Sequence, residues 1–140
     1  MTTTLPAPSS RTTARWPVWL LRAAVTAVTV LVLAQAALAG SFLSGTYEAL
    51  AAHARNAGIM AACLVLQLIA AVLCRRMRLA TRQPVVASVA QCVVVAALIP
   101  LGEQRILAVH VPLAVLLVVG VLQVAYVAWR RIPAGPEAVR

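Results

Sequence analysis

Long apolar runs separated by short polar segments dominate the sequence. The four runs lie at 16–39, 49–74, 84–101 and 106–129. Each is close to the ~20 residues that an α-helix needs to cross a hydrocarbon layer of ~30 Å. Short polar links favour antiparallel neighbouring helices. The pattern therefore predicts an all-α, four-transmembrane-helix bundle over residues 16–131, with a disordered tail at 1–15 and a second polar tail at 132–140.

The distribution of arginine predicts how these helices are oriented. Ten of the twelve basic residues precede or open the first run, fill the middle link or follow the fourth run. They are Arg11, Arg15, Arg22, Arg75, Arg76, Arg78, Arg82, Arg130, Arg131 and Arg140. Positive charge is retained on the cytoplasmic side, so both termini and the middle link are predicted to be cytoplasmic. Arg22, inside the first run, is expected to snorkel toward that surface.

Composition agrees with a membrane protein. Of the 140 residues 63% are hydrophobic and 11% are charged, and a soluble domain of this size buries only part of its surface. The net charge of +9 is not arranged as a basic face for nucleic acid, so the expected partner is the lipid bilayer. The bias toward alanine, valine, leucine and arginine is typical of a GC-rich bacterial genome, which predicts a bacterial inner membrane protein.

The first run also has features of a cleavable signal peptide. Arg11 and Arg15 precede it, and Ala37-Leu38-Ala39 resembles a cleavage site. Because the run is longer than the 7–15 apolar residues typical of a signal peptide core, retention as a helix is the favoured interpretation. Cleavage would leave three helices in the same orientation.

The two halves of the chain show the same order of landmark residues. Ala34-Gln35, His53, Leu66-Gln67 and Arg75-Arg76 are followed by Ala90-Gln91, His110, Leu122-Gln123 and Arg130-Arg131. Parallel repeats of this kind are related by a pseudo-two-fold axis along the membrane normal. The fold is therefore predicted to consist of two tandem helical hairpins, although landmarks this few can also align by chance.

The repeat pairs the two histidines of the chain. His53 lies 22 residues before Arg75 and His110 lies 20 residues before Arg130, which places them ~33 Å and ~30 Å from the arginine layer. Both are thus predicted near the outer face, on the second and fourth helices. If those helices are diagonal in the bundle, the imidazoles can face each other and bind a haem iron axially.

Other residues near the histidines suit a haem. Arg55 and Arg105 are the arginines of the outer side and could pair with haem propionates. Small residues around His53 would let a flat macrocycle approach, and Pro112 frees a backbone carbonyl near His110. The alternative is that these polar groups bind headgroups and water. A metal site without porphyrin is less favoured, because no Cys, Asp or Glu is positioned to complete it.

The remaining polar residues indicate structure rather than catalysis. The glutamines of the apolar runs are interpreted as hydrogen-bonding partners between helices, and the three cysteines as small side chains in the lipid phase. The sequence has no aspartate, no serine–histidine–acid set and no Gly-rich phosphate loop. An enzyme is therefore the less favoured class.

Three stretches carry a resemblance to known proteins: Gln35 to Gly40 with Gly45, His53 at the start of the second helix, and the segment from Ala108 to Leu113. Together they resemble a loose group of small, mostly uncharacterised four-helix bacterial membrane proteins with a histidine near the outer end of helices two and four. They are similar, more distantly, to b-type cytochromes of the cytochrome b561 kind. Those cytochromes hold two haems with four histidines, so the resemblance implies at most one haem here.

The leading hypothesis is a one-haem b-type cytochrome-like protein with His53 and His110 as axial ligands of haem b. It would be an electron carrier or a haem-bearing subunit, with a membrane redox partner or a second copy of itself. One alternative is a cofactor-free accessory or scaffold protein that binds other membrane proteins. Another is a bundle with a small-solute or lipid pocket between its hairpins.

Overall fold

The computed structural model describes residues 14–133, which form four antiparallel α-helices. The helices are α1 (Trp16–Leu43), α2 (Ala49–Arg76), α3 (Gln83–Glu103) and α4 (Leu107–Arg130). No strand occurs within the described residues, and all four helices are long and apolar enough to cross a membrane. The predicted four-helix transmembrane bundle is confirmed. Most of the predicted tail sequence, 1–13 and 134–140, lies outside the described residues.

The helices pack in cyclic order around the bundle. Within the described residues α1 contacts α2 and α4, and α3 contacts the same two helices. The diagonal pairs, α1 with α3 and α2 with α4, make no direct helix–helix contact in this part of the chain. Two hairpins placed side by side produce this order. The helices that carry the two histidines are therefore diagonal to each other.

All four helices extend past the residues at which the sequence pattern ends them, by one to four residues. The first continues to Leu43 rather than Ala39, and α3 passes through Pro100 to Glu103. Pro100 removes only the hydrogen bond to the carbonyl group of Ala96, and it is exposed at the surface of the bundle. A proline so close to the end of a helix therefore does not terminate it.

Two apolar clusters form the core, one at each end of the bundle. We call the end that contains residues 15–22, 74–84 and 127–133 the arginine end, and the opposite end the histidine end. The arginine-end cluster includes Leu21, Ala70 and Val124, and the histidine-end cluster includes Val28, Leu64 and Val121. Cys63, Cys74 and Cys92 are free thiols within the helices, and Cys74 is buried in the arginine-end cluster rather than in contact with lipid.

A buried polar layer separates the two apolar clusters. Gln67 of α2 donates from Nε2 to Ser88 Oγ (3.0 Å) and to Gln91 Oε1 (2.8 Å) of α3. All three side chains are buried. Gln67 Oε1 and Gln91 Nε2 have no hydrogen-bond partner within the described residues. The two glutamines therefore link α2 to α3 while leaving one polar atom each unsatisfied.

Replacing both Gln67 and Gln91 is expected to cost less stability than replacing either one alone. Gln67→Met or Gln91→Met leaves the other glutamine without its interhelical hydrogen bond. Hydrogen bonds of this kind contribute ~0.6–1.7 kcal/mol to stability. Replacing both also removes the unsatisfied atoms, and substituting both partners by groups of similar shape is nearly neutral. The free energy of unfolding, measured by titration with SDS, should fall by about 1 kcal/mol in each single variant and by less than that in the double variant.

Gln104→Met serves as the control, because Gln104 is exposed in the link after α3. Losses that simply add in the double variant would contradict the coupling of the two glutamines.

Arg22 joins α1 to the end of α4 at the arginine end. Its Nε donates to the Ala128 carbonyl (3.1 Å) and its Nη2 to the Ile132 carbonyl (2.9 Å). The guanidinium carbon lies 5.0 Å from the ring centroid of Trp19 and 4.8 Å from that of Trp129. The side chain is 8% exposed. Arg22 thus reaches the expected end of the bundle, but it is enclosed by protein rather than hydrated at the surface.

Candidate functional site

The two histidines lie at the same end of the bundle, on diagonal helices. His53 is the fifth residue of α2 and His110 the fourth residue of α4. Both side chains are half-buried. The structure therefore places the two residues that the sequence pairs at one end of the bundle, on helices that are diagonal to each other.

The imidazole of His53 is held by α1. Its Nδ1 lies 3.2 Å from the backbone carbonyl oxygen of Gln35, and the Gln35 side chain donates from Nε2 to the His53 carbonyl at 3.1 Å. Asn56, one turn further along α2, donates to Gln35 Oε1 and to the Leu31 carbonyl. This exchange of hydrogen bonds fixes the ring of His53 relative to the neighbouring helix.

The imidazole of His110 is held by α3. Its Nδ1 lies 3.0 Å from the backbone carbonyl oxygen of Leu98. Gly102, one turn further along α3, lies directly beneath the ring: a Cβ at this position would be 3.1 Å from Cε1 and 3.3 Å from Nδ1 of His110. An alanine here would push the ring away by a few tenths of an ångström, so the glycine favours this close approach of the ring to α3.

Both hydrogen bonds determine which ring nitrogen carries the proton. A backbone carbonyl oxygen only accepts hydrogen bonds, so Nδ1 must be the protonated nitrogen in each neutral ring. The lone pair then resides on Nε2. Histidines that bind metals commonly donate their other N–H to a backbone carbonyl, which orients the ring and raises its basicity as a ligand. Both histidines have this arrangement.

Arg55 and Arg105 lie at the same end as the histidines. Both are exposed. Arg55 is in α2, and Arg105 follows α3 with a left-handed backbone (φ 58°). Within residues 14–133 neither forms an ion pair or a side-chain hydrogen bond. Their guanidinium groups are therefore free to bind an anionic group from outside the bundle.

Metal ligation at this end depends on the two histidines. No group of three or more His, Cys, Asp or Glu side chains within the described residues is arranged to hold a metal ion. Glu48 and Glu103 are exposed near the links. The side chains at this end that can ligate a metal through nitrogen are therefore two neutral imidazoles on different helices.

The polar contacts of the two hairpins differ, although their helices correspond. Gln35 bonds to His53, whereas Gln91, its counterpart in the repeat, bonds to Gln67 and lies away from His110. The partner of His110 is Leu98, seven residues closer to the link. Three of the four repeat-landmark glutamines connect helices as the sequence predicts, but Gln123 is exposed.

Sequence reasoning missed two residues that support the histidines. Asn56 is three residues after His53, a spacing that places both on one face of α2, and this signal was available in the sequence. Gly102 could not be found in the same way, because its role depends on how α3 and α4 approach each other.

Comparison with protein-family models, with curated proteins and with solved structures finds no match to this chain. The resemblance to b-type cytochromes therefore depends on the residues quoted above.

Proposed function

We propose that this protein is a one-haem, b-type cytochrome-like membrane protein in which His53 and His110 are the axial ligands. It acts as an electron carrier or as the haem-bearing subunit of a larger redox complex. The observation that supports this function is that the two imidazoles have the same tautomer and corresponding positions in the bundle. Each donates Nδ1–H to a backbone carbonyl and has no hydrogen bond at Nε2 from residues 14–133, and the two are on diagonal helices at the same end of the bundle.

The surrounding residues fit a haem. Small side chains line α2 beside His53, at Ala52, Ala54 and Ala57, and would leave room for a flat ring. Arg55 and Arg105 would bind the propionates, since guanidinium–carboxylate pairs are bidentate and strong. A bound haem supplies one-electron redox chemistry, and the protein's part is to orient the imidazoles and limit access of water.

The position of the histidines restricts where electrons would enter and leave. The chain contains two histidines, and both lie at the histidine end. Their position favours a redox partner at that end and electron transfer along one membrane face. It provides no second haem near the arginine end.

The proposed cellular location follows from the arginines. Eight of the basic residues within 14–133 lie at the arginine end, and the charge bias across short links sets orientation. We infer that the arginine end faces the cytoplasm of a bacterial cell and the haem lies toward the outer face of the inner membrane. A C-terminal fusion should be fluorescent with green fluorescent protein and inactive with alkaline phosphatase; the opposite result would overturn the orientation.

The test of the function is an absorption spectrum of the full chain, expressed with added 5-aminolaevulinic acid and purified in detergent. A reduced-minus-oxidised spectrum with Soret and α bands, at about one haem per chain, is the expected result. A colourless protein that stays colourless on titration with haemin would overturn the proposal and favour the cofactor-free scaffold.

Gly102→Ala is expected to weaken haem binding without unfolding the bundle. The new methyl group would displace the His110 ring by a few tenths of an ångström and loosen its bond to Leu98. Disruption of such supporting contacts typically costs 10–100-fold in metal affinity, so haemin titration should show a loss of at least about tenfold.

Gly58→Ala is the matched control, because Gly58 is also in a helix at this end and has open space around it. Equal affinities in the two alanine variants would contradict the role assigned to Gly102.

A further inference from the structure

We propose that the groove between α3 and α4 at the arginine end binds one anionic phospholipid. The groove has a volume of about 330 Å³. Its walls are mostly apolar side chains, including Val86, Ala87 and Val127, and polar groups occur at Arg82, Gln83 and Gln123. The site is at the opposite end from the histidines and is independent of the proposed haem.

The shape of the groove suits an acyl chain. Val124 and Val127 form a buried floor, whereas Val86 on the wall is 62% exposed. The small side chains of Ala87 and Ala90 leave space between the helices. In a bilayer an open apolar groove on the outside of a bundle faces lipid, so a hydrocarbon chain is the occupant that matches its surface.

The charge at the mouth of the groove suits a phosphate. Arg82 immediately precedes α3, which begins without a side-chain cap, so unpaired N–H groups and the positive end of the helix dipole are directed to the same place. Gln123, Val127 and Arg130 follow the spacing i, i+4, i+7, which puts them on one face of α4. Arg82 lines the groove on the α3 side, and Arg130 lies beyond the lining residues, on the face of α4 that carries Gln123 and Val127.

No carboxylate competes for these arginines in the part of the chain that the structure describes. The acidic residues there are Glu48 and Glu103, at the histidine end. The arginine end carries eight arginines in the same residues. Within the described residues this end therefore offers its arginines no carboxylate partner, and the phosphate of an anionic lipid would supply negative charge within the plane of the membrane.

The position of Gln123 favours a lipid over a free phosphate as the occupant of the groove. Its amide is exposed on the outside of α4, and no other residue within 14–133 forms a hydrogen bond with it. It lies seven residues, or ~10 Å, from Arg130 toward the membrane centre, where an unsatisfied amide is costly. A lipid with its phosphate at Arg82 and Arg130 places its ester carbonyls within reach of the Gln123 Nε2 donor.

The test is native mass spectrometry of the full chain in detergent, titrated with phosphatidylglycerol or with phosphatidylcholine of identical acyl chains. One phosphatidylglycerol should bind more tightly than phosphatidylcholine. Arg82→Gln should reduce that affinity about fivefold, the effect of one basic residue at an anionic surface, and should weaken phosphatidylcholine less, because choline offsets the charge of its phosphate. Gln123→Leu should weaken both lipids, because both carry ester carbonyls.

Arg76→Gln is the matched control: it removes an exposed arginine of the same end that does not line the groove. If Arg76→Gln and Arg82→Gln lower the affinity for phosphatidylglycerol equally, the lipid is attracted by the overall charge of the arginine end and the proposed site is wrong. Competition by inorganic phosphate as strong as that by phosphatidylglycerol would overturn the lipid as occupant.

Ala90→Leu narrows the groove without altering charge and should lower the affinity for both lipids. If it instead abolishes a dimer and leaves lipid binding intact, the groove belongs to an interface between two copies of the chain and the proposal is wrong. Circular dichroism of each variant verifies that the helices are retained.

Discussion

Replacing either His53 or His110 by alanine is expected to remove the bis-histidine haem spectrum. In the proposed haem site each substitution would delete one axial ligand, and the remaining imidazole would come from a single helix. Because even indirect support of a metal-binding histidine is typically worth 10–100-fold in affinity, loss of the ligand itself should lower haem retention by more than about tenfold. The measurement is the ratio of Soret to protein absorbance after purification, with the reduced α band as the marker of six-coordinate iron.

If His53 and His110 ligate one haem iron, the two alanine variants should lose the haem spectrum to the same extent. His53 and His110 are bound to different neighbours, Gln35 and Leu98, so a merely structural effect of either substitution would be local to one hairpin. Asn56→Ala should have a smaller effect than His53→Ala, since Asn56 acts only through Gln35. Gln104→Ala, exposed at the same end, should leave the spectrum unchanged. A full spectrum in either histidine variant would exclude that residue as a ligand.

Replacing Arg22 by alanine is expected to be the most destabilising single change at the arginine end. The substitution strands the carbonyls of Ala128 and Ile132 and removes a cation held between Trp19 and Trp129. A charge-assisted hydrogen bond contributes ~1.5–3 kcal/mol, and a desolvated cation–π contact contributes ~2 kcal/mol. Since these contributions are not additive, a loss of about 3 kcal/mol in the free energy of unfolding is expected.

The same contacts predict how other residues at position 22 behave. Arg22→Lys keeps the charge but lacks the planar fork that reaches two carbonyls at once, so it should recover less than half of the loss. Arg76→Ala, an exposed arginine of the same end, should cost less than ~1 kcal/mol. Titration with SDS measures all three variants. If Arg22→Ala and Arg76→Ala are equally stable, Arg22 serves only to set orientation.

The four membrane-spanning helices could be predicted from the sequence because a span depends on local, additive properties. A run such as 106–129 is apolar whatever it packs against, and hydrocarbon accepts only a helix there. The ends of the helices were predicted less accurately than their number. Pro100 and the residues after Ala39 continue their helices, because the last turn of a helix depends on contacts that the apolar pattern does not contain.

The candidate site was predicted in part. The depth of His53 and His110 follows from counting residues along two helices of constant rise, and this count places both at one end. Their orientation does not follow. The partner of His53 is 18 residues away and that of His110 is 12 away, although the repeat suggests equivalent positions.

What the sequence determined by itself is the number of helices, their approximate spans and the separation of arginines from histidines. The tertiary structure decided the rotation of each helix about its axis. That rotation enclosed Arg22 between two tryptophans, directed Gln91 to Gln67, and turned Gln123 outward into the groove. Transfer into lipid depends on the sum of side chains along a helix, whereas hydrogen bonds such as that from Arg22 to Ile132 join residues 110 positions apart and depend on how all four helices pack.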